Sequence, residues 1–372
     1  MSLFKSAFSN IVEGNYFFGN NYYISENLVT KRDDGMNLTK LKKQHNSHSH
    51  RKTSILLACE LVLAAFLILL VYVTFIAYPS QNEQIKIGST YMTMNNSFFP
   101  VLNEQIANYI EDHHDRLYNR DPALIVNKQV EELHAFIRQG VNAIIINPVD
   151  GNSMKIQNAL RLAKKRGIKI VVVDSQMKSA RYADCTILSD NYHAGQLCAQ
   201  HLLRHKRSAQ ILLLEHYSAY SANNRIKGFT DTIKKSPKAN RFHIVDKINT
   251  YGQSEIALPL VEKALKKGPK FDTIMALNDQ AAVGALAAID EVQLERQIAV
   301  YSVDGSENMK KLLGVNQNAI ATAAQTPLNM GKTAVKIAYK LIAGKKVPSK
   351  IILPVYLITN KNINRYNILG WQ

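Results

Sequence analysis

Amide and carboxylate side chains, which together donate and accept hydrogen bonds, follow the apolar runs of this sequence one after another. Asn147 comes directly after the run at 143–146, and Asp174 directly after the run at 171–173. The full series at such positions is Asn147, Asp174, Asn278, Asp304 and Gln325. At any one position the competing interpretation is a helix N-cap, but capping alone explains the series poorly. Amides and carboxylates together predict a neutral, polyhydroxylated ligand rather than an anion or a metal ion.

Two adjacent aromatic rings occur near the end of the first apolar run, in the segment Asn95-Asn96-Ser97-Phe98-Phe99. The rings of Phe98 and Phe99 can offer flat apolar faces to the C–H side of a sugar, while the amide of Asn96 holds hydroxyl groups. Core packing remains the alternative for either ring taken alone. The segment therefore adds an aromatic wall to the predicted polar site.

Motifs for catalysis, cofactors and metals are weak or absent in the sequence. It contains neither G-x-S-x-G nor a glycine-rich dinucleotide fingerprint after a strand. Gly331-Lys332-Thr333 looks like the end of a phosphate loop, but Thr326 stands where the first glycine belongs. The histidines at 45, 48 and 50 lack cysteine or carboxylate neighbours, so a solvated linker is the better interpretation than a metal site. We therefore expect no enzyme, no cofactor and no metal.

The elements that must position these side chains alternate between short apolar runs and amphipathic segments. Several amphipathic segments end in a glycine after basic residues, as at Gly140, Gly167 and Gly268, which is typical of a helix C-terminus. Strands that are apolar on both faces belong in a parallel sheet covered by helices on each side. The pattern predicts an α/β fold with strands at 85–90, 142–146, 169–173, 186–188, 210–214, 242–248, 273–277, 299–303 and 319–324.

An apolar segment at residues 54–78 precedes the α/β region and is long enough to cross a bilayer as a helix. A buried core helix, a cleaved signal peptide and a lipoprotein signal at Cys59 are the alternatives, and each fits the segment less well. Basic residues cluster before the segment, which places the N-terminus inside the cell. The prediction is a single-pass membrane anchor with residues 1–53 cytoplasmic and mostly disordered, and residues 79–84 as a tether.

The formal net charge is +17, and the chain contains three cysteines. A nucleic-acid partner is excluded if the apolar helix spans the membrane, so the charge indicates a solvated basic surface, with attraction to anionic lipid or wall polymer as a weaker alternative. Cys185 and Cys198 are too few for a disulfide framework and are predicted to be buried apolar residues, with one bridge between them as the minority alternative.

The exterior part resembles the type I periplasmic binding proteins of the ribose- and galactose-binding group, over about residues 85 to 360. The matching segments are Asn95-Asn96-Ser97-Phe98-Phe99, Ile146-Asn147-Pro148-Val149-Asp150, Val173-Asp174, Ser189-Asp190-Asn191, Arg225-Ile226-Lys227-Gly228-Phe229, Asn278-Asp279 with Gly284-Ala285, Val303-Asp304-Gly305, and Gln325 with Pro327. The resemblance implies two parallel-sheet lobes, three crossings between them, and a sugar held by hinge closure.

By this resemblance, the ligand contacts are Asn96, Phe98, Phe99, Asn147, Asp174, Asn223, Asn278, Asp304 and Gln325. The sequence also departs from the family pattern. Ser97 replaces a proline, Val303 replaces an aromatic residue, and Ser175 and Asn223 stand where arginines are common. We therefore expect a pocket that keeps its carboxylates and amides and loses its cationic donors.

The predicted domain organisation places residues 85–189 and 326–354 in one lobe and residues 190–325 and 355–372 in the other. Two functions follow from a tethered sugar receptor at the bacterial cell membrane. It can be the substrate-binding component of an ABC-type carbohydrate importer, with a membrane permease as its partner. Alternatively, it can be a sugar sensor that signals to a membrane histidine kinase. The sequence supports the first step of both.

Overall fold

A computed structural model describes residues 38–73, 84–268 and 270–372. The chain separates into two compact units, Met1–Asn82 and Glu83–Gln372, and each is described by itself. The predicted disorder of residues 1–37 and the predicted tether at 79–83 lie outside the described residues.

In the first unit, the described residues form a long helix, α1, at Leu38–Val71. Its window Ser54–Val71 is apolar and long enough to cross a membrane by length and composition, and none of that window is buried. The helix begins well before Ser54, so the predictions that the helix starts there and that the preceding residues are mostly disordered were wrong for residues 38–53. No glycine or proline interrupts residues 38–78, and helix formation propagates readily once it has begun.

In the second unit, the described residues form two six-stranded sheets. The strands are β1 Lys86–Thr90, β2 Arg116–Arg120, β3 Ala143–Ile146, β4 Lys169–Val173, β5 Cys185–Ser189, β6 Ala209–Glu215, β7 Phe242–Asn249, β8 Thr273–Ala276, β9 Ala299–Asp304, β10 Ala319–Ala324, β11 Lys350–Leu353 and β12 Tyr356–Thr359. The first sheet has the order β11-β5-β4-β3-β1-β2 and the second the order β12-β10-β9-β8-β6-β7. Each sheet with its helices is called a lobe below.

Helices cover both faces of the two sheets. They are α2 Phe98–Asp112, α3 Val126–Arg138, α4 Met154–Lys165, α5 Asn191–His205, α6 Tyr220–Lys234, α7 Ser254–Lys266, α8 Asp279–Val292, α9 Glu307–Val315 and α10 Pro327–Ile342. Central strands such as β3 and β9 are buried along their whole length, as the apolar runs predicted. The predicted α/β fold with two parallel-sheet lobes is confirmed. Cys185 and Cys198 are buried and free, as expected.

Three strands at the edges of the sheets were not predicted from the apolar runs. β2 and β11 bound the first sheet, and β12 pairs antiparallel with β10 at the edge of the second. β2 reads Arg-Leu-Tyr-Asn-Arg and is largely exposed. An edge strand has only one neighbour and less cover, so it does not need the apolar pattern of a central strand.

The chain passes between the two sheets at several points. β5 ends at Ser189 in the first sheet, and α5 then packs against α6 in the second lobe. After β10, helix α10 returns to pack against α2 of the first lobe. β11 then joins the first sheet and β12 the second. These crossings bring the carboxyl ends of the strands in both lobes to one common cleft.

Candidate functional site

The cleft between the two lobes measures about 390 Å³, including the part that opens to solvent. The first lobe contributes Asn96, Phe98, Phe99 and Asp174 to its walls. The second lobe contributes the polar side chains His216, Arg225, Gln253, Asn278, Asp304 and Gln325. Most of the predicted contacts are therefore brought together, but from two different sheets.

The aromatic wall of the cleft begins at the N-terminus of α2. Asn96 accepts a hydrogen bond from the Phe98 backbone N–H at 3.0 Å, which fixes the turn into the helix. The rings of Phe98 and Phe99 meet edge to face, with centroids 5.4 Å apart. Phe99 in turn stacks on the buried Tyr91 at 5.5 Å. Phe99 therefore both lines the cleft and packs into the core, so the ligand-contact and core-packing interpretations both apply to it.

Asp174 directly follows β4 and has a left-handed backbone conformation, with φ of 60°. Its carboxylate is buried and accepts a hydrogen bond from Asn147 Nδ2 at 3.2 Å. The nearest cation is Arg225, whose Nη2 lies 3.6 Å from Oδ1. Burial raises the pKa of Asp174, and the charge of Arg225 opposes this effect. The carboxylate therefore has spare acceptor capacity toward the cleft.

Asp304 ends β9 in the second lobe, and its φ of 141° is also unusual for a residue with a side chain. Its Oδ1 accepts from Arg225 Nη1 at 3.2 Å and from Gln325 Nε2 at 2.7 Å. Burial raises the pKa of Asp304 from 3.8 to about 8, and the charges of Asp279 and Asp174 add to the shift while Arg225 opposes it. No described residue donates to Oδ2. This oxygen is available to a ligand.

Arg225 joins the two carboxylates, and the prediction that the pocket lacks a cationic donor was wrong. The side chain is buried in the cleft, where its Nε donates to Asn191 Oδ1 at 2.7 Å and its Nη1 to the Leu277 carbonyl at 3.0 Å. Helix α6 carries Arg225 to this place because it lies directly on α5. A Cβ on Gly195 would stand 1.9 Å from the Arg225 carbonyl oxygen, so only glycine permits this approach.

Asn223 was predicted to contact the ligand, and the structure places it elsewhere. It is exposed, does not line the cleft, and donates from Nδ2 to the Tyr217 carbonyl at 3.0 Å. Residues two apart on a helix point to nearly opposite sides. Since Arg225 faces the cleft, Asn223 faces away from it.

Asn147 was also predicted to contact the ligand, but it lies behind the cleft wall. The side chain is fully buried and is occupied by protein groups. Its Oδ1 accepts from the Met92 backbone N–H at 3.2 Å, and its Nδ2 donates to the Val173 carbonyl and to Asp174. Asn147 therefore holds Asp174 and does not itself reach into the cleft.

The second-lobe amides that line the cleft comprise one helix cap and two side chains with a free acceptor oxygen. Asn278 caps α8, accepting from the Ala281 backbone N–H at 3.0 Å, and its Nδ2 donates to the Gly252 carbonyl. The capping interpretation therefore applies here, although the side chain also lines the cleft. The Oε1 atoms of Gln325 and Gln253 are buried and have no hydrogen-bond partner among the described residues.

The cleft residues that were not identified from the sequence include His216, Tyr251 and Gln253. His216 directly follows β6, so the strand-end rule that selected Asp174 could have found it. Its Nε2 lies 3.1 Å from Ser218 Oγ, and burial lowers its pKa to about 4. The ring is therefore neutral at physiological pH. Tyr251 and Gln253 do not directly follow β7, which ends at Asn249, but lie in the turn before α7, so the strand-end rule did not select them.

The lips of the cleft are joined by direct contacts between the lobes. Asn95 Nδ2 donates to Glu255 Oε1 at 2.9 Å, and Gln280 Nε2 donates to the Asn95 carbonyl at 2.9 Å. Tyr220 donates from its hydroxyl to Asn152 Oδ1 at 2.8 Å. These bonds link residues of opposite lobes, so the structure shows a closed cleft.

Comparisons with known proteins agree with this architecture. The sequence model of the family described as periplasmic binding protein domain matches residues 87–346. The ribose import binding protein of Bacillus subtilis is 28% identical over 291 residues, which cover 77% of this chain and 92% of that protein.

Solved structures show the same fold. A solute-binding protein of an ABC transporter from Mycobacterium smegmatis, with bound glycerol, has a TM-score of 0.70 at 23% identity, covering 78% of this chain and 100% of that one. A second, from Bacillus halodurans with bound myo-inositol, has a TM-score of 0.70 at 20% identity, covering 77% and 98%.

Proposed function

Because this chain belongs to the periplasmic binding protein family, a family of solute-binding proteins and not of enzymes, we propose that its cleft binds a neutral sugar or a related polyol. We further propose that the protein is the substrate-binding component of an ABC-type carbohydrate importer. A membrane permease is then the partner to which the closed, loaded form delivers the sugar.

One observation carries the ligand class. Gln253 and Gln325 both line the cleft, and each has a buried amide oxygen without a hydrogen-bond partner among the described residues. A buried acceptor without a donor costs about 1–3 kcal/mol. Hydroxyl groups of a polyol can donate to these oxygens and to the free carboxylate oxygen of Asp304. Phe98, on the opposite wall, offers a flat apolar face to the C–H side of a sugar ring.

The charges of the cleft favour a neutral ligand over an anionic one. The single guanidinium of Arg225 already faces two carboxylates, those of Asp174 and Asp304. A phosphate or carboxylate on the ligand would meet these charges without a free cation among the described lining residues. The similar proteins support the same class, since one is a ribose import binding protein and the two solved structures hold glycerol and myo-inositol.

Helix α1 supports the proposal that the receptor is anchored in the bacterial cell membrane. Its apolar window at Ser54–Val71 fits a single pass, and basic residues such as Lys42, Lys43 and Arg51 precede it. The N-terminus is then cytoplasmic and the binding unit extracytoplasmic. A tethered receptor stays close to its membrane partner, which raises the effective concentration for docking.

The test uses the full-length chain, purified in a detergent without a sugar headgroup. Calorimetric titration with pentoses, hexoses, inositols, glycerol and their phosphate esters should give binding of at least one neutral compound and none of its phosphate ester. Above about pH 8, where Asp304 is ionised, Asp174→Ala and Asp304→Ala should each weaken that binding by about 10- to 150-fold, because hydrogen bonds to charged groups contribute about 1.5–3 kcal/mol. Binding of the phosphate ester alone would overturn the proposed ligand class.

A second candidate function is sensing, in which sugar occupancy is presented to a membrane histidine kinase. One observation favours it: α1 runs without a break from Leu38 into its apolar window, so a helical segment continues beyond the predicted span on its N-terminal side. Cross-linking in native membranes distinguishes the two functions. Recovery of a permease supports import, and recovery of a kinase supports sensing.

A further inference from the structure

Residues 367–372 form a segment held in place by one buried lysine. Lys310 on α9 is fully buried, and its ammonium group donates to the backbone carbonyls of Asn367 and Gly370. It also donates to Gln372 Oε1 at 3.1 Å. A buried ammonium must be met by several acceptors to be tolerated, so these bonds fix the course of the segment.

The same segment lies on the backbone of two cleft residues. Gln372 Nε2 donates to the Gln325 carbonyl at 2.6 Å and to the Asp304 carbonyl at 3.2 Å. Gly305, with φ of 73°, makes room for this contact, since a Cβ there would stand 2.6 Å from Gln372 Nε2. The segment is thus attached to the second lobe through the backbone of Asp304 and Gln325, whose side chains line the cleft.

Between these attachments, Trp371 reaches the first lobe. Its ring meets Phe98 edge to face, with centroids 5.7 Å apart and an interplanar angle of 80°. Phe98 is the cleft residue that offers an aromatic face to the ligand, and its other aromatic neighbour is Phe99. Trp371 therefore joins a segment fixed to the second lobe with the aromatic wall of the first.

We propose that Trp371 is a positioning residue of the ligand site, which holds the Phe98 ring across the two lobes in the orientation that a cyclic ligand requires. This inference rests on the proposed binding of a sugar or polyol. Only a ring presents a flat C–H face to Phe98, whereas an acyclic polyol contacts the cleft mainly through hydroxyl groups. Loss of the Trp371 contact should therefore weaken cyclic ligands more than acyclic ones.

The expected size of the effect follows from the contact. An edge-to-face aromatic pair contributes an amount that corresponds to a change of about 3- to 10-fold in a dissociation constant. We expect Trp371→Ala to weaken the tightest cyclic ligand by about this factor and to change the affinity for glycerol by less than about twofold. Trp371→Phe should recover most of the loss. Leu369→Ala is the matched control, since that side chain is 72% exposed in the same segment.

A second readout needs no variant, because Trp371 is the single tryptophan of the chain. Its fluorescence, excited where tyrosine does not absorb, should change on titration of the full-length protein with the cyclic ligand. Phe98→Leu should reduce that change, and Trp371→Ala should add no further loss of affinity in the Phe98→Leu background. This double-mutant comparison separates a direct contact from general destabilisation.

The outcomes are distinguishable. If the wild-type protein binds no sugar or polyol, the proposed function fails and this inference fails with it. If the wild type binds a cyclic ligand but its tryptophan fluorescence does not respond, the inference alone is overturned. It is also overturned if Trp371→Ala weakens cyclic and acyclic ligands equally, or if its effect persists unchanged in the Phe98→Leu background.

Discussion

Arg225 Nη1 lies 3.2 Å from Asp304 Oδ1, and both side chains are buried where the lobes meet. The pair does not saturate the site, because the same guanidinium also faces Asp174 and the second oxygen of Asp304 has no described donor. One cation shared by two buried carboxylates is costly without a ligand. The site therefore stores an unfavourable electrostatic arrangement that hydroxyl donors can relieve.

Replacing Arg225 should destabilise the fold as well as the site. In Arg225→Ala, two buried carboxylates lose their cation, and the loss of one partner of a buried pair costs about 3–5 kcal/mol. Denaturant unfolding of the full-length protein measures this change. The control is Lys227→Ala in the same helix, where solvent screens the exposed pair with Asp231 and the change in the free energy of unfolding should be small. Equal effects of the two variants would contradict the assigned role of Arg225.

The free energy of unfolding should fall as the pH rises between about 4 and about 8 in the absence of ligand. The pKa of Asp304 is raised in the folded protein from 3.8 to about 8, so in this interval the folded state binds more protons than the unfolded state. Stability must then decrease with rising pH, and the cost is complete above the folded pKa. Asp304→Asn removes this titration and should flatten the profile. A wild-type profile parallel to that of the variant would contradict the prediction.

Asn147 should matter for binding although it does not line the cleft. Asn147→Ala leaves Asp174 without its neutral donor and the Met92 N–H without its acceptor, at a cost of about 1–3 kcal/mol for buried groups. We expect weaker sugar binding together with lower stability, measured by titration and thermal unfolding. Asn223→Ala is the comparison, because its exposed side chain should leave affinity unchanged. A larger loss in Asn223→Ala would restore the assignment made from the sequence.

The contacts at the lips predict a kinetic effect. Asn95→Ala removes the hydrogen bond to Glu255 across the cleft, a bond that forms only when the lobes approach. A hydrogen bond of this kind contributes about 0.5–1.5 kcal/mol, so ligand dissociation should accelerate by about 2- to 10-fold. Stopped-flow displacement measures the rate. An unchanged dissociation rate combined with slower association would contradict closure at these lips.

The anchor can be tested on the native protein. If residues 54–78 remain as a membrane helix, the mature protein extracted from its membrane should have the intact mass of a chain that includes them, and alkaline carbonate should not release it. A mature chain that begins after residue 78 would show that the segment is a cleaved signal, and would end the tethering proposal.

Much of the fold could be predicted from the sequence, because burial leaves a repeated pattern. Runs such as Ala143–Ile146 must be apolar on both faces when helices cover a parallel sheet, so the central strands could be predicted from the sequence. β2, β11 and β12 were not, because edge strands are exempt from that pattern. The start of α1 at Leu38 was not predicted, because residues 38–53 carry no periodic apolar pattern. They are helical as a continuation of the apolar segment that follows them.

The sequence by itself determined which side chains stand at the strand ends, since Asp174, Asp304 and Gln325 each directly follow an apolar run. Only the tertiary structure decided what each does. Arg225 faces the cleft and Asn223 does not, because the contact of α6 with α5 at Gly195 sets the rotation of the helix. Trp371 contacts Phe98, although the two are far apart in the sequence, because residues 367–372 are bound to the second lobe where it faces the first. Such contacts depend on the relative placement of distant elements, which no local pattern records.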